Sequence, residues 1–471
     1  MAGTATLQFL GAADTVTGSR YLLQNAASRV LVDCGLFQGL KVLRERNRLP
    51  FPVRPADVDA VLITHAHLDH SGYLPALVRD GFHGRVHTTT GTQELARIML
   101  PDSGHLLEEE ARSAARGGWS RHERPTPLYT VEDAIASLDR FEPMPFDHPV
   151  QVAAGVTAEL LPAGHIVGAA EALVTTGGRR VLFSGDLGRD NDPLMLPPRP
   201  PAAADIVVVE STYGDRLHPQ ADPQSQLRDI VKRTCGRGGV VLIPAFAVGR
   251  TETLLLHLSR LRDRGAIPDV PIYVNSPMAV DVTAVYRRHR NEHRITDAEF
   301  EHMYALPTLV RTVEDSMALN ARRGPMIIIA ASGMITGGRI LHHLKAFGPD
   351  PANTVVLAGY QAAGTRGAAL AAGARSLRIH GRDVPIRADV VSIDTLSAHA
   401  DANGILAWLG RAPQRPRMTF VVHGEPAAAD ALRARIKHEL GWDVRVPEQG
   451  ETVELDSAER GSSAAIPAHR P

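Results

Sequence analysis

Cysteine is almost absent from this 471-residue chain: Cys34 and Cys235 are the whole supply, far apart and outside any CxxC pattern. That argues against a disulfide framework and a thiolate zinc site, and it fits a reducing cytoplasm. An excess of one charge is missing too, since 51 Lys+Arg stand against 52 Asp+Glu. Global charge therefore announces no polyanion partner, although a groove can still concentrate basic groups locally. No uninterrupted apolar run approaches the ~20 residues of a membrane span, so no membrane partner is expected. Met1 to Arg20 lacks a basic start followed by a long apolar core, and no signal peptide is expected. Repeats are missing, as is low-complexity sequence before a Ser-, Ala- and Pro-rich end (458–471) that reads as a disordered tail. With 44% hydrophobic and 22% charged residues, a soluble cytoplasmic protein of two or more domains is expected.

Histidine is what the chain has in plenty, at 21 residues. His65, His67, Asp69 and His70 fall within six positions, directly after the apolar run Val58 to Ile63. The run reads as a buried strand, which places the cluster on the loop leaving its carboxyl end. Imidazole and carboxylate suit zinc, or less often manganese or iron. His65 and His67, two apart on an extended loop, can aim both rings at one ion. Asp69 and His70 then point elsewhere, which suggests a second ion beside the first. Three more strand ends carry a His or Asp beside glycine: Asp33 before Gly35, His165 after Gly164, and Asp186 after Gly185. Taken alone, Asp33 reads equally well as a turn-former or helix cap. Beside the 65–70 cluster, His165 and Asp186 read as further ligands.

The organisation changes along the chain. The first 200 residues alternate short strands and turns like one wall of a sandwich, with a polar helical excursion over 92–142. Prolines crowd together at Asp192 to Pro201 and mark a boundary. Beyond it come apolar strands with small-residue loops and helices between them: Ile206–Val209, Val240–Ile243, Ile272–Val274, Met326–Ala330 and Thr354–Leu357. This pattern predicts a parallel sheet covered on both faces, with ligands beyond the carboxyl ends of its strands. From Asp389 the style of the first part returns.

These residues resemble the metallo-β-lactamase fold, and the second half narrows the resemblance. Glu210 in Glu-Ser-Thr-Tyr-Gly, His399 in Ser-Ala-His-Ala-Asp and His423 in His-Gly-Glu resemble the signature positions of the β-CASP nucleases. That family includes the cleavage-and-polyadenylation endonuclease subunit and ribonuclease J, and the chain is most similar to its compact prokaryotic branch. The resemblance implies an αββα metallo-β-lactamase sandwich with an inserted parallel-sheet β-CASP domain. Residues 1–205 and 389–457 would form the sandwich and 206–388 the insert. It further implies two zinc ions: one held by His65, His67 and His165, the other by Asp69, His70 and His423, with Asp186 bridging. Asp33 would orient a ligating imidazole from behind. The expected activity is a zinc-dependent ribonuclease cutting single-stranded RNA, through water activated at the metals. His399 would be the general acid, oriented and kept protonated by Glu210. Without that context, Glu210 would read as a strand-end helix cap and His399 as a polar loop residue.

A phosphate cradle is expected at Ser332, Gly333, Gly338 and Arg339, and again at Thr365 and Arg366, where glycine turns open helices. Arg250 holds a similar place after an earlier strand. Two other readings stay open: a small-molecule hydrolase of the thioester or lactam type, and a catalytically inert RNA-binding subunit. DNA as substrate, 5′-exonuclease action and a homodimer are equally left open.

Overall fold

The computed structural model describes residues 5–117 and 125–456; the tail expected at 458–471 lies outside them. Two seven-stranded sheets form the sandwich. The first runs in the order Thr452–Glu454, Thr6–Gly11, Arg20–Gln24, Arg29–Val32, Ala60–Leu62, Arg85–Thr88, Phe141–Pro143. The second runs Val444–Arg445, Met418–Val421, Ile206–Val209, Arg179–Phe183, Ala170–Thr176, Val156–Pro162, Val150–Ala153. Alternation along the first strand explains the facing: Leu7 and Phe9 point inward, where they meet Ala158, Phe183, Val208 and Phe420 of the opposite sheet. Helices cover both outer faces. Leu74 and Leu77 pack under the first sheet beside Val61 and Ile63, and Ile405, Trp408 and Leu432 cover the second beside Val207 and Val421.

The insert is a six-stranded, wholly parallel sheet in the order Thr308–Val310, Ile272–Asn275, Met326–Ala330, Val240–Pro244, Thr354–Ala358, Asp389–Ile393. Helices bury both of its faces, as runs such as Met326-Ile-Ile-Ile-Ala330 require.

Two strands change sides relative to the sequence reading. Ile206–Val209 belongs to the sandwich, paired parallel with Arg179–Phe183 and with Met418–Val421. Its four apolar residues are buried on both faces, so a strand of either parallel region would read the same way. Asp389–Ile393 is instead the edge strand of the insert, on Thr354–Ala358. As an edge it is only half-buried, which imitates the strand-and-turn style of the sandwich. The helical excursion is confirmed as Thr90–Gly117 and Val131–Leu138. Within it, Glu109 and Glu110 are exposed, whereas Glu108 accepts from the Val131 N–H (2.9 Å) at the head of the second helix. Among the described residues no helix is long and apolar enough to cross a membrane.

Candidate metal centre and cleft

Strand ends bring the chemistry together. Parallel neighbours Arg29–Val32 and Ala60–Leu62 release Asp33 and the His65–His70 segment, of which only His65 and His67 stay on the expected loop while Asp69 and His70 lie in the short helix Leu68–Ser71. In the opposite sheet Val156–Pro162, Arg179–Phe183, Ile206–Val209 and Met418–Val421 release His165, Asp186, Glu210 and His423. Backbone pairing fixes the first loop: Ile63 N–H donates to His87 O, and the Ser71 hydroxyl donates to Ala66 O at 2.9 Å. Gly35 is required for close approach, since a Cβ there would lie 1.6 Å from Asp69 O.

Seven predicted ligands converge in two sets, His65, His67, His165 and Asp186 in one and Asp69, His70 and His423 in the other, with Asp186 also within reach of His70 and His423. His65 Nε2 stands 3.1 Å from His67 Nδ1 and 3.3 Å from Asp186 Oδ2. His165 Nε2 closes the set at 3.3 Å from His67 Nδ1 and 3.6 Å from Asp186 Oδ2. On the other side His70 Nε2 lies 3.1 Å from His423 Nε2 and 3.2 Å from Asp186 Oδ1, with Asp69 Oδ2 3.6 Å from His423 Nε2. A tetrahedral ion with ligand distances of about 2.0–2.1 Å sets its ligand atoms about 3.3–3.4 Å apart. A shared proton joins only two nitrogens at a time, whereas His67 Nδ1 meets His65 Nε2 and His165 Nε2 together, a convergence that a cation between them satisfies. The donor set fits divalent metal.

One layer back, the ligands are held in place. His70 Nδ1–H donates to Asp33 Oδ2 (2.7 Å), which turns Nε2 toward Asp186. Asp33 also accepts from the Thr64 N–H (2.8 Å) and hydroxyl, and the Thr64 hydroxyl lies 3.2 Å from His65 Nδ1. Thr212 Oγ1 lies 3.2 Å from His423 Nδ1. Electrostatics follow the packing. Burial, and after it the charge of His70, pushes His65 down to about 3, while burial drives His165 well below the usual imidazole range. Burial would also lower His70, but Asp186 and Asp33 outweigh it and raise that ring well above the usual range. Burial alone would raise Asp186, yet the neighbouring His70 and His423 hold its carboxyl well below the usual carboxylate range.

His399 faces the same centre from a different loop. Its Nδ1 lies 3.1 and 3.2 Å from the two oxygens of Glu210, and its Nε2 lies 3.9 Å from Asp186 Oδ2. Burial lowers this imidazole, but the charges of Glu210 and Asp186 outweigh it and lift the ring to about 9. Glu210 is buried and caps no helix: it accepts from Leu187 N–H (2.7 Å) and Thr212 N–H (3.3 Å) while receiving His399. His218 Nε2 reaches His399 O (2.9 Å), and Arg189 Nη1 donates to Thr395 O and Ser397 O. These two side chains anchor the loop that carries the imidazole.

The cleft in front of the ligands lies between sandwich and insert, with Phe246, Arg250, Met334 and Tyr360 as its insert wall. None of the six residues of the expected phosphate cradle lines it. Arg339 donates to Asn275 Oδ1 (2.7 Å), Thr312 O and Arg311 O, and so locks three segments of the insert together. Arg366 holds Arg378 O, Ile335 O and Thr336 O. Thr365 caps the Arg366–Ala371 helix, and the Ser332 hydroxyl accepts from the N–H groups of Thr336 and Gly337 within its own turn. Gly338 adopts φ +74°, and its turn folds back on the Ala331 carbonyl. Gly333 admits the Phe246 ring, which a Cβ would meet at 2.7 Å. Polar groups at glycine turns were thus taken up by the turns themselves. Thr64, Thr212, His218, Arg189, Phe246 and Tyr360 were missed, because single polar and aromatic residues near strand ends carry no spacing signal.

Comparison with known proteins agrees with this geometry. Residues 14–229 match the family described as metallo-beta-lactamase superfamily, 251–370 the Beta-Casp domain, and 383–447 the Zn-dependent metallo-hydrolase RNA specificity domain. The chain is 37% identical over 450 residues to a protein named Ribonuclease TTHA0252 from Thermus thermophilus, covering 94% of this chain and 98% of that one. It is 29% identical over 473 residues to Transcription termination factor FttA of Methanosarcina mazei, covering 95% of this chain and 71% of that protein. A crystal structure of a protein of unknown function from Enterococcus faecalis superposes with a TM-score of 0.50 at 13% identity, covering 96% and 99% of the two chains, a likeness of fold alone. Ligand order, inserted sheet and sequence similarity agree: the chain belongs to the β-CASP family of metallo-β-lactamase-fold proteins.

Proposed function

We propose that the chain is a dizinc ribonuclease that cuts single-stranded RNA internally. The observation that carries this reading is that Asp186 reaches both His65 and His70, one from each ligand set, while a His399–Glu210 couple is aimed at the same carboxylate. His65, His67 and His165 would hold one ion and Asp69, His70 and His423 the other, with Asp186 within reach of both sets. The chemistry a loaded site supplies is activation of water and neutralisation of charge on the phosphodiester. Asp33 keeps the His70 tautomer that presents Nε2, and Thr64 locks Asp33 in turn. His399 delivers a proton from Nε2 to the leaving oxygen, while Glu210 holds Nδ1–H and fixes the ring's direction. A thioester's thiolate departs without a proton and gives this acid couple nothing to do. The name of the relative from Thermus thermophilus and the description of the 383–447 match support RNA as the substrate class.

The test is cleavage of a 5′-labelled single-stranded RNA on a denaturing gel by zinc-loaded protein. Internal fragments are expected from the unaltered chain, with a loss of at least about 100-fold in His399→Ala, the scale of general acid catalysis. Mononucleotides alone would make the enzyme an exonuclease. Intact RNA would remove the reading.

A further inference from the structure

Among the described residues that line the cleft, Arg250 is the one guanidinium or ammonium group, and the site described so far does not use it. It opens the 14-residue helix Arg250–Asp263, immediately after the loop that carries Phe246. The residue is 8% exposed, yet Nε and Nη1 are buried with no hydrogen-bond partner. Burying a guanidinium nitrogen without a partner is costly, so folded proteins rarely leave one so placed. Asp192, whose field reaches it, accepts instead from the N–H groups of Leu194 and Met195. Gly359 leaves room for the guanidinium, because a Cβ there would lie 3.0 Å from Nη2. The helix head beneath it starts at Gly249, which offers no side-chain cap, so the end of the helix adds partial positive charge.

The neighbours define the ligand. Arg250 lines the cleft together with His67, His165, Asp186 and His399, so an anion bound to it lies beside the reacting centre. Phe246 and Tyr360, both half-buried, stand on the same wall, and flat rings beside an anion site suit a nucleotide better than a bare inorganic ion. We infer that Arg250 is a phosphate clamp that receives a non-bridging oxygen of the substrate strand at a linkage next to the one cut. This rests on the ribonuclease reading above. Arg250 takes over the role that the sequence assigned to Arg339 and Arg366, whose guanidinium groups are engaged with the insert itself.

The test is equilibrium binding of a fluorescent single-stranded RNA to the zinc-loaded His399→Ala chain, with and without Arg250→Gln, over a range of KCl. Loss of the clamp is expected to weaken binding about 10- to 100-fold, as for hydrogen bonds to a charged group, and to lower the slope of log K against log salt by about 0.7. Arg250→Lys is expected to keep the slope and part of the affinity. A methylphosphonate scan of the RNA reads the same contact without altering the protein. One neutral linkage should weaken binding to the Arg250 form and have no effect on Arg250→Gln. The free protein should lose no stability in Arg250→Gln, because an unpartnered charge is removed. RNA binding indifferent to Arg250 and to every single neutral linkage would overturn the clamp alone. No RNA binding by the Arg250 form would overturn the ribonuclease reading, and the clamp with it. A marked fall in the unfolding midpoint of Arg250→Gln would assign the residue to structure instead.

Discussion

At Asp33 the backbone turns to φ +58°, a conformation that non-glycine residues rarely adopt, so that one carboxylate can reach both Thr64 and His70. The residue's place before a glycine turn was legible, but its two partners were not, because Thr64 is an ordinary strand-end threonine until the fold brings it to Asp33. The candidate metal ligands were legible for the opposite reason. Histidine is costly to bury without a task, so seven histidines and aspartates at strand ends needed few alternatives. Replacing Asp33 by Asn leaves the shape but gives the His70 Nδ1–H a weaker acceptor. Metal affinity is expected to fall about 10- to 100-fold, measured by competition with a chromophoric chelator; unchanged affinity would remove Asp33 from the site.

Among elements, the helix Arg250–Asp263 is the one whose chemistry least resembles its surroundings. Arg250, Thr251, Glu252 and Thr253 are all buried at its head. Glu252 accepts from the backbone at Gly249 and from its own N–H, and its Oε2 has no partner. Burial pushes this carboxyl up to about 8. The unfolded chain loses the proton near the ordinary value of 4.5, whereas the native protein keeps it to about 8. Between these values the native state holds more protons, so stability falls as pH rises through the window. Glu252→Gln keeps a neutral side chain throughout. Its urea midpoint should drop less than that of the unaltered chain between pH 6 and pH 9, and parallel drops would contradict the assignment. Element boundaries show what sequence pattern can and cannot carry. Parallel strands were visible as apolar runs, but Ile206–Val209 and Asp389–Ile393 were exchanged between sheets. Partner choice is decided by crossovers that no local pattern encodes.

For the whole molecule, the sandwich supplies all seven candidate ligands, and the insert closes the cleft over them. His423 comes from a strand paired with Ile206–Val209, so the segment after the insert completes a site begun before it. Three segments far apart in sequence therefore meet only in the native state, which links metal binding to folding. Dialysis against a strong chelator should lower Tm by several degrees, and zinc should restore it. Free metal a thousandfold above Kd corresponds to about 4 kcal/mol. A Tm indifferent to chelation would mean that the buried donor sets hold no metal. The central claim is that protein-bound metal and a His399 proton act together on a phosphodiester. The most direct test uses a zinc-loaded His399→Ala chain and an RNA whose leaving oxygen is replaced by sulfur, a group that departs without a proton. The variant is expected to cut the sulfur-linked RNA at close to the unaltered rate while leaving ordinary RNA nearly intact. Equal loss on both substrates, with zinc still bound, would contradict the proton-donor role on which the account depends.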